Sequence, residues 1–492
     1  MNLRGLFLVS GLVATQFLTG CAMNPVSGKT EMALMSEEQE VALGKKNDEL
    51  VRKQYGVYQD KALQDYVNRV GQSLVRHSHR PNIKYTFTVL DSPEVNAFAL
   101  PGGYVYITRG ILAYVNSEAE MAAVLGHEVG HVTARHGVRQ YSKATATSIG
   151  FTIATIFMPE LRTEASQQLL NVLGNAMISG YGRDAELEAD RLGAQYLARD
   201  GYDPDAMTQV IGVLKNQEEF EVERAKREHR QPQVYHGVFA SHPSTDTRLQ
   251  EVVAEAKKLK VNGRSNGRTG QKVYMSEING LVFGDSVSQG IRRTNHFYHL
   301  DLNLAVDFPR DWQLVNLPTK LVAYAPEKDA LIDVQLVDYK DKKLPSPKAL
   351  IEEKLKIEEA PGAPVAGLAL PSYSTTTSLR TPWGKRESRV TAIYLGNKAY
   401  LIYGAAKSEQ RLKELDPQFL GTAASLRPLS AGERKLARGL RIQVAKVRAG
   451  QTFASLAKRS PLPDYPEQTL RLINDRYPDG NLQPGEEIKL IQ

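Results

Sequence analysis

The feature that most constrains this chain is a pair of histidines four residues apart, with a glutamate directly after the first. His127, Glu128 and His131 form this H-E-x-x-H motif inside an uncharged stretch. Because residues four apart share one face of an α-helix, both imidazoles can bind a single metal ion. Glu128 would lie beside that ion and can accept a proton from a water molecule held there. The motif therefore predicts a core helix that carries a zinc site.

The residues around the motif indicate where this helix begins and ends. Ser117 and Glu120 have the Ser-x-x-Glu spacing of a capping box at a helix N-terminus. Apolar residues then recur at helical intervals, and Gly137 offers a C-terminal stop. The alternative is a pair of core histidines without a metal, because the bare motif also arises by chance. The bounded helix favours the zinc site.

Zinc in a catalytic site needs a third protein ligand and an open fourth position. His136 is nearest, but its distance from His131 does not fit the H-x-x-G-x-x-H spacing, so we predict that it contacts a ligand histidine or the helix end. Glu186 and Asp190, on a second predicted helix, share one face, whereas Glu188 should point elsewhere. Glu186 can bind zinc while Asp190 holds a ligand histidine by its other ring nitrogen. The alternative is a solvated acidic helix start.

Several segments, in this order, resemble one family of zinc peptidases. They are residues 24–29 and 35–40, residues 96–107, the H-E-x-x-H motif, the E-x-E-A-D motif at 186–190, and residues 201–204 and 241–243. This combination resembles the gluzincin family that contains the CAAX prenyl endopeptidases and the bacterial periplasmic β-barrel-assembly-enhancing proteases. The resemblance covers about residues 24–255. It implies a zinc endopeptidase with one Zn²⁺ per chain, in which His127, His131 and Glu186 are the ligands and Glu128 is the general base.

The same resemblance implies a substrate site along residues 96–107. The pattern predicts a turn into a strand, and the family places such a strand at the edge of the cleft. An edge strand has unpaired N–H and C=O groups, so an extended peptide can pair with it. The residues predicted to bind substrate are Asn96, Ala97, Phe98 and Ala99.

Two predictions leave alternatives open. His242 can approach the zinc and stabilise the oxyanion, occupy the fourth zinc position and silence the enzyme, or cap a loop. Residues 142–181 contain an apolar stretch of about 14 residues, which is short for a membrane span. They are predicted as a buried helical hairpin or as a lid or membrane-facing surface over the cleft.

The N-terminus indicates export to the cell envelope. A basic start and a short apolar stretch precede residues 18–21, which resemble a bacterial lipobox. We therefore predict a lipoprotein signal peptide over residues 1–20, a lipidated Cys21 and a tether over residues 21–36. The alternative is an ordinary signal peptide with an incidental cysteine. Cys21 is the only cysteine, which suits an oxidising compartment. By resemblance to lipoprotein sorting, the lack of Asp after Cys21 favours the outer membrane, facing the periplasm.

With 492 residues the chain is too long for one core, so several domains are expected. The patterns predict an α+β chain with a mainly helical zincin-type domain at 37–262 and an α+β accessory domain at 273–430. The accessory domain resembles the PsbP/Mog-type sheet. Residues 441–492 resemble a LysM module with a βααβ fold, which implies peptidoglycan as ligand. The alternative is that fold without a ligand, because the insert at 460–466 is longer than usual.

Charge separates the function classes that remain. The formal net charge is +7, but no dense basic tract with interleaved aromatics is present, so nucleic acid is not an expected partner. The leading prediction is a zinc endopeptidase that cleaves misfolded or misassembled envelope proteins. One alternative is a chaperone-like assembly or scaffold factor of the outer membrane, with a latent zinc site and contacts to the assembly machinery. A peptidoglycan hydrolase is the third.

Overall fold

The computed structural model describes residues 21–33, 35–142, 181–228, 267–317, 320–337 and 344–492, with residues 251, 254, 255, 258 and 339. The predicted signal peptide, His242 and residues 143–180 lie outside the described residues. The chain forms two compact units. The first contains the described residues up to Arg52, Gly56–Phe283 and Arg441–Gln492, and the second contains Lys53–Tyr55 and Gly284–Leu440.

The first unit is mainly helical and contains the predicted metal helix. Its elements up to Phe283 are β1 (Cys21–Met23), β2 (Thr30–Met32), α1 (Glu37–Tyr55, whose end belongs to the second unit), α2 (Lys61–Val75), β3 (Thr86–Leu90), β4 (Ala97–Leu100), β5 (Tyr104–Thr108), α3 (Arg109–Tyr114), α4 (Glu118–Thr133), α5 (Arg183–Arg199), α6 (Asp205–Arg227), α7 (Gln271–Glu277) and β6 (Val282–Phe283).

Helix α4 is buried from Ala119 to Thr133, as the uncharged residues on both sides of the motif predict. Ser117 caps it by accepting a hydrogen bond from the Glu120 amide at 3.1 Å. The Glu120 carboxylate instead reaches the Asn116 amide, at 2.7 Å. The helix ends before the predicted stop, because Arg135 takes a left-handed conformation with φ 55° and the backbone becomes helical again from residue 136.

Helix α5 crosses α4 at close range because glycines line the contact. A Cβ added at Gly126 would lie 3.4 Å from the Cα of Gly193, and one added at Gly130 would lie 2.9 Å from the carbonyl oxygen of Ala189. The Cβ at Gly126 would only make ordinary contact. One at Gly130, or one at Gly193 that would lie 3.0 Å from the His127 amide nitrogen, would force the helices to shift. The glycines therefore bring the acidic start of α5 to the histidine face of α4.

A small sheet lies beside the metal helix, with strand order β3-β5-β4. Strand β3 is parallel to β5, and β4 is antiparallel to it, with Ala97 opposite Ile107. Gly102 and Gly103, at φ 81° and 93°, form the predicted turn between β4 and β5. Strand β4 is at the end of the strand order and contacts α4, so the predicted edge strand borders the metal helix.

The predicted N-terminal tether is partly folded. Strands β1 and β2 pair antiparallel, with Cys21 opposite Met32. The Asn24 side chain accepts hydrogen bonds from the amides of Val26 and Ser27 at 2.8 and 3.1 Å, which closes the turn between the strands. The extended polar tether predicted over residues 21–36 is therefore a hairpin followed by the cap of α1.

The C-terminal residues fold as β17 (Leu440–Lys446), α11 (Phe453–Ala457), α12 (Pro466–Ile473) and β18 (Glu487–Ile491). Strands β18, β17 and β6 form one sheet, so the segment before the accessory domain pairs with the C-terminal strands. Lys489 is fully buried and donates to the carbonyl oxygens of Ala113 and Val115, both at 2.8 Å. The predicted separate third module instead belongs to the first compact unit.

The second unit is a large antiparallel sheet with helices. A three-stranded sheet contains β7 (Ile291–Arg293), β8 (His296–His299) and β9 (Leu304–Asp307). The seven-stranded sheet has the order β10-β11-β12-β16-β15-β14-β13. Its strands are β10 (Gln313–Leu317), β11 (Lys320–Tyr324), β12 (Ala330–Val337), β13 (Gly362–Ala363), β14 (Ser372–Thr381), β15 (Gly384–Leu395) and β16 (Lys398–Ala406). The helices are α8 (Pro347–Leu355), α9 (Glu409–Ala424) and α10 (Ala431–Leu436).

Two apolar clusters cover this seven-stranded sheet. Strand β16 alternates between them, since Tyr400 and Ile402 join the cluster around Phe419 and Leu401 joins the cluster around Leu350. The chain as a whole is of the predicted α+β class. No helix among the described residues is long and apolar enough to cross a membrane.

Candidate metal centre

Three predicted ligands converge between α4 and α5. The Nε2 atoms of His127 and His131 lie 3.0 Å apart. The Glu186 carboxylate lies 3.6 Å from Nε2 of His127 and 3.5 Å from Nε2 of His131. All three residues are buried, with exposed fractions of 7%, 1% and 1%. The structure therefore brings together the two histidines of the motif and the distant glutamate.

These atoms fit a zinc ion. Zinc takes nitrogen and oxygen ligands at about 2.0–2.2 Å, and tetrahedral angles then separate the ligand atoms by about 3.3–3.6 Å. The three separations of 3.0, 3.5 and 3.6 Å match that geometry with small adjustments. Within the residues that the structure describes, this group of His127, His131 and Glu186 has ligand atoms all within 4.8 Å of one another. Two imidazoles and one carboxylate also leave room for a fourth ligand at zinc.

The imidazole of His127 is oriented by Asp190, which was predicted to hold a ligand histidine. The Asp190 carboxylate lies 2.8 Å from Nδ1 of His127, and it is fully buried. An ionised carboxylate accepts hydrogen bonds, so His127 carries its proton on Nδ1. Its Nε2 lone pair is then free to bind a metal ion placed between it, Glu186 and His131. Glu186 and Asp190 are one helical turn apart on α5, so one helix supplies both a ligand and the group that orients another ligand.

The second imidazole is oriented by a chain of three side chains. Nδ1 of His131 lies 2.7 Å from Nδ1 of His136, whose Nε2 lies 3.1 Å from Glu188. Arg139 donates to the same Glu188 oxygen at 2.7 Å. The hydrogen bond from His136, together with Arg139, lowers the pKa of Glu188 to about 2 despite partial burial.

Protonation along this chain follows from its geometry. Burial lowers the pKa of His136, so its ring is neutral near pH 7. A neutral His136 that donates from Nε2 to the ionised Glu188 accepts at Nδ1. His131 therefore donates from Nδ1 and directs its Nε2 lone pair at the site. His136 contacts a ligand histidine as predicted, but Glu188, which was expected to point elsewhere, completes the arrangement.

Glu128 and Tyr181 are the other groups beside the ligands. Glu128 follows His127 on α4 and is buried. The Tyr181 ring stacks on His131, with ring centres 4.2 Å apart and planes 21° apart. Burial, and then the charges of Glu128 and Glu186, raise the pKa of the Tyr181 hydroxyl, which keeps it protonated. The sequence offered no spacing signal for Tyr181, because a single aromatic before a helix is most often a packing residue.

The predicted substrate residues lie at the start of β4. Ala97, Phe98 and Ala99 belong to the edge strand, and Phe98 stacks on Tyr106 at 4.9 Å. Asn96 precedes the strand, and its backbone N–H donates to the Thr108 hydroxyl at 3.1 Å. Its Oδ1 is buried without a hydrogen-bond partner in the described part of the chain. His242, the other predicted catalytic residue, lies outside the described residues, and Cys21 opens strand β1.

The fold and the site define a zinc metallopeptidase domain, with H-E-x-x-H on one buried helix and a glutamate ligand on the next. Residues 61–256 match peptidase family M48. The chain therefore contains a domain of peptidase family M48, and the family predicted from the motifs is confirmed.

Two curated relatives share this half of the chain. The β-barrel assembly-enhancing protease of Escherichia coli (strain K12) is 29% identical over 257 residues, which cover 51% of this chain and 50% of that protein. The mitochondrial metalloendopeptidase OMA1 of Arabidopsis thaliana is 30% identical over 205 residues, covering 42% and 40%. The chain thus spans about half the length of the curated relatives it matches.

A solved structure gives a fainter likeness. The solution structure of cyanobacterial PsbP from Synechocystis is 12% identical, with a TM-score of 0.22, and covers 28% of this chain and 95% of that one. At that TM-score the likeness carries no conclusion about the accessory sheet.

Proposed function

We propose that this protein is a zinc-dependent endopeptidase of the bacterial cell envelope that cleaves misfolded or misassembled envelope proteins. The observation that carries the proposal is the convergence of His127, His131 and Glu186 on one point, with Glu128 next to the first histidine. The M48 domain and the metalloendopeptidase relatives support the same reaction class.

The reaction follows from the positions of the side chains. Zinc, when bound by the two histidines and Glu186, supplies a Lewis acid that lowers the pKa of water to about 7 and polarises a carbonyl oxygen. The Glu128 carboxylate accepts the proton of the attacking water as the new C–O bond forms at the peptide carbonyl. The C–N bond then breaks, and Glu128 returns the proton to the leaving nitrogen. Asp190 and His136 hold the imidazoles in one orientation throughout.

The substrate is proposed to bind as an added strand along β4. The backbone of this strand pairs with β5 on one side, and among the described residues no strand pairs with its other side, where an extended peptide could add. Main-chain pairing makes few demands on side chains, which suits an enzyme that acts on unfolded segments. Asn96, with its buried side-chain oxygen at the start of β4, is a candidate to accept a hydrogen bond from the peptide.

The location and partners are proposed from the sequence motifs. The lipobox-like residues before Cys21 support an outer-membrane lipoprotein that faces the periplasm. The name of the Escherichia coli relative supports a substrate among β-barrel outer-membrane proteins and a partner in their assembly machinery. The LysM-like pattern at 441–492 supports contact with peptidoglycan.

Cleavage by the Glu128→Gln variant tests the proposed reaction. The purified variant should bind one zinc per chain but cleave casein and an unfolded outer-membrane protein at least about 100-fold more slowly, because the general base is lost. Asp184→Asn is the matched control, since Asp184 is an exposed acid on α5 and should leave the rate unchanged.

Other outcomes point to other functions. A Glu128→Gln variant that cleaves at the wild-type rate would remove Glu128 from the general-base role. If the wild-type protein cleaves neither substrate while Glu128→Gln restores a deletion strain, the assembly or scaffold function is favoured. Release of muropeptides by the wild-type protein, without cleavage of casein, would favour the peptidoglycan hydrolase.

A further inference from the structure

The turn after the edge strand lies directly against helix α1. A Cβ added at Gly44 would lie 1.9 Å from the carbonyl oxygen of Pro101, and one added at Gly102 would lie 2.7 Å from the Cα of Val41. Both distances are too short for any side chain, so the two backbones touch. Because the turn follows β4 directly, the position of α1 sets where the edge strand ends.

A buried carboxylate on α1 connects this turn with the metal helix. Glu40 is only 1% exposed, and its Oε1 accepts a hydrogen bond from the Gly102 amide at 3.3 Å. Arg80 donates to both Glu40 oxygens, at 3.0 and 3.2 Å, and Arg135 donates to Oε2 at 2.9 Å. Arg80 also donates to the carbonyl oxygen of Val132 at 3.0 Å.

Val132 lies in the last turn of α4, one residue after the ligand His131, and its carbonyl is among those that a helix end leaves for outside donors. Arg135 lies just beyond that end, in its left-handed conformation. Glu40 is therefore one hydrogen bond from the turn after β4 and, through Arg80, two from the end of the metal helix.

The charges in this cluster balance. Arg80 and Arg135 face Glu40 and Glu37, and Glu37 contacts Arg80 at 2.8 Å. The Glu37 side chain is 57% exposed, whereas Glu40 is buried. Both glutamates therefore pair with Arg80, but the buried one also accepts from the Gly102 amide.

We propose that Glu40 is a positioning residue that fixes edge strand β4 relative to the metal ligands and Glu128. This inference rests on the proposed endopeptidase function, because it assigns how that site aligns its substrate. A peptide paired with β4 presents its carbonyl where the strand places it, and the reacting groups are on α4. A misplacement of about 1 Å can cost about 100-fold in rate.

Glu40→Met tests the proposal, because methionine keeps the length of the side chain but accepts no strong hydrogen bond. We expect kcat/KM for a peptide substrate to fall about 10- to 100-fold, with one zinc per chain retained. The value of kcat should fall because the bound carbonyl is misplaced, and KM should rise because the strand that binds the peptide is less ordered. Amide hydrogen exchange over residues 97–103 of the zinc-loaded full chain should become faster. Glu37→Gln is the control, because it removes the charge of another partner of Arg80 that does not contact the turn. Both readouts should stay within twofold of wild type.

A second variant separates positioning from stability. Glu40→Met alone leaves the buried Arg80 and the partly buried Arg135 with one exposed glutamate, so it can unfold. Glu40→Met combined with Arg135→Met leaves Arg80 with Glu37 and restores the charge balance. If this double variant is folded and still shows a raised KM and faster exchange over residues 97–103, Glu40 positions the strand.

Wild-type KM and wild-type exchange in the folded double variant would overturn the inference. The exchange readout does not depend on catalysis. If the wild-type protein cleaves no peptide, the proposed function fails, while faster exchange in the Glu40 variants still shows that this residue holds β4.

Discussion

Replacing Asp190 should weaken zinc binding by an amount that the structure allows us to estimate. Asp190 is fully buried and lies 2.8 Å from Nδ1 of His127. It fixes the tautomer and the direction of a ligand imidazole without contributing a ligand atom to the group formed by His127, His131 and Glu186. Its removal therefore tests the hydrogen bond and the charge behind the imidazole, with all three ligands still present.

The magnitude follows from the kind of hydrogen bond that is lost. A buried hydrogen bond to a charged group contributes about 1.5–3 kcal/mol. Each 1.4 kcal/mol corresponds to about a factor of ten in affinity, so Asp190→Ala should raise the zinc dissociation constant about 10- to 100-fold. Asp190→Asn keeps an oxygen that can accept from Nδ1 of His127 but loses the charge. The zinc dissociation constant of this variant should therefore rise by nearer to tenfold.

The assay is competition for zinc between the full chain and a chelator of known affinity, with circular dichroism to show that each variant is folded. Asp184→Asn, an exposed acid on the same helix, should bind zinc as the wild type does. A folded Asp190→Ala variant whose zinc dissociation constant lies within twofold of wild type would refute the reasoning. Packing alone would then orient His127.

The part of the site that obeys helical spacing could be predicted from the sequence. His127 and His131 share a face because they are four residues apart, and the same rule places Glu186 and Asp190 together on α5. Each pair is local, so periodicity is sufficient for it. That the two helices meet was predicted only from the family resemblance. The physical cause is the close approach of α4 and α5 at their glycines, which the periodicity of the sequence does not reveal.

The rest of the site depends on contacts between distant residues. Glu188 was expected to point away from the metal, and it does so, but His136 begins a further helical segment and meets it from the side. Arg135 ends α4 ahead of Gly137 because Glu40 and the Met35 carbonyl hold its guanidinium. Local propensity contains no information on a partner about a hundred residues away.

The C-terminal residues show the same limit. The order of elements could be predicted from the pattern, but Lys489 in an alternating strand indicates a solvent-facing position. The structure buries it instead, with its ammonium on two carbonyl oxygens at the end of α3 and the approach to α4. A charged side chain is normally inferred to face solvent, but here it is buried because it donates to the carbonyl oxygens of another segment. That contact is between distant residues, so the local sequence does not reveal it.

Two further substitutions test the packing of the first unit. Gly44→Ala should destabilise the chain by about 3 kcal/mol in urea unfolding, because its Cβ would meet the Pro101 carbonyl oxygen. Gly212→Ala is the control: within the described part of the chain, its Cβ would have no atom within 4 Å apart from the nearby backbone of its own helix, so it should stabilise α6 by about 0.5–1 kcal/mol. Equal effects would contradict the close approach at Gly44. Burial lowers the pKa of Lys489 to about 7, although Glu120 opposes this shift. Between about pH 7 and 10, the Lys489 amine is therefore protonated in the unfolded chain but largely neutral in the folded one. Because the unfolded state binds more protons, the unfolding free energy should rise across that window, by at most about 1.4 kcal/mol per pH unit. Lys489→Met should remove this rise, and an equal pH dependence in both proteins would show that the buried ammonium keeps its proton.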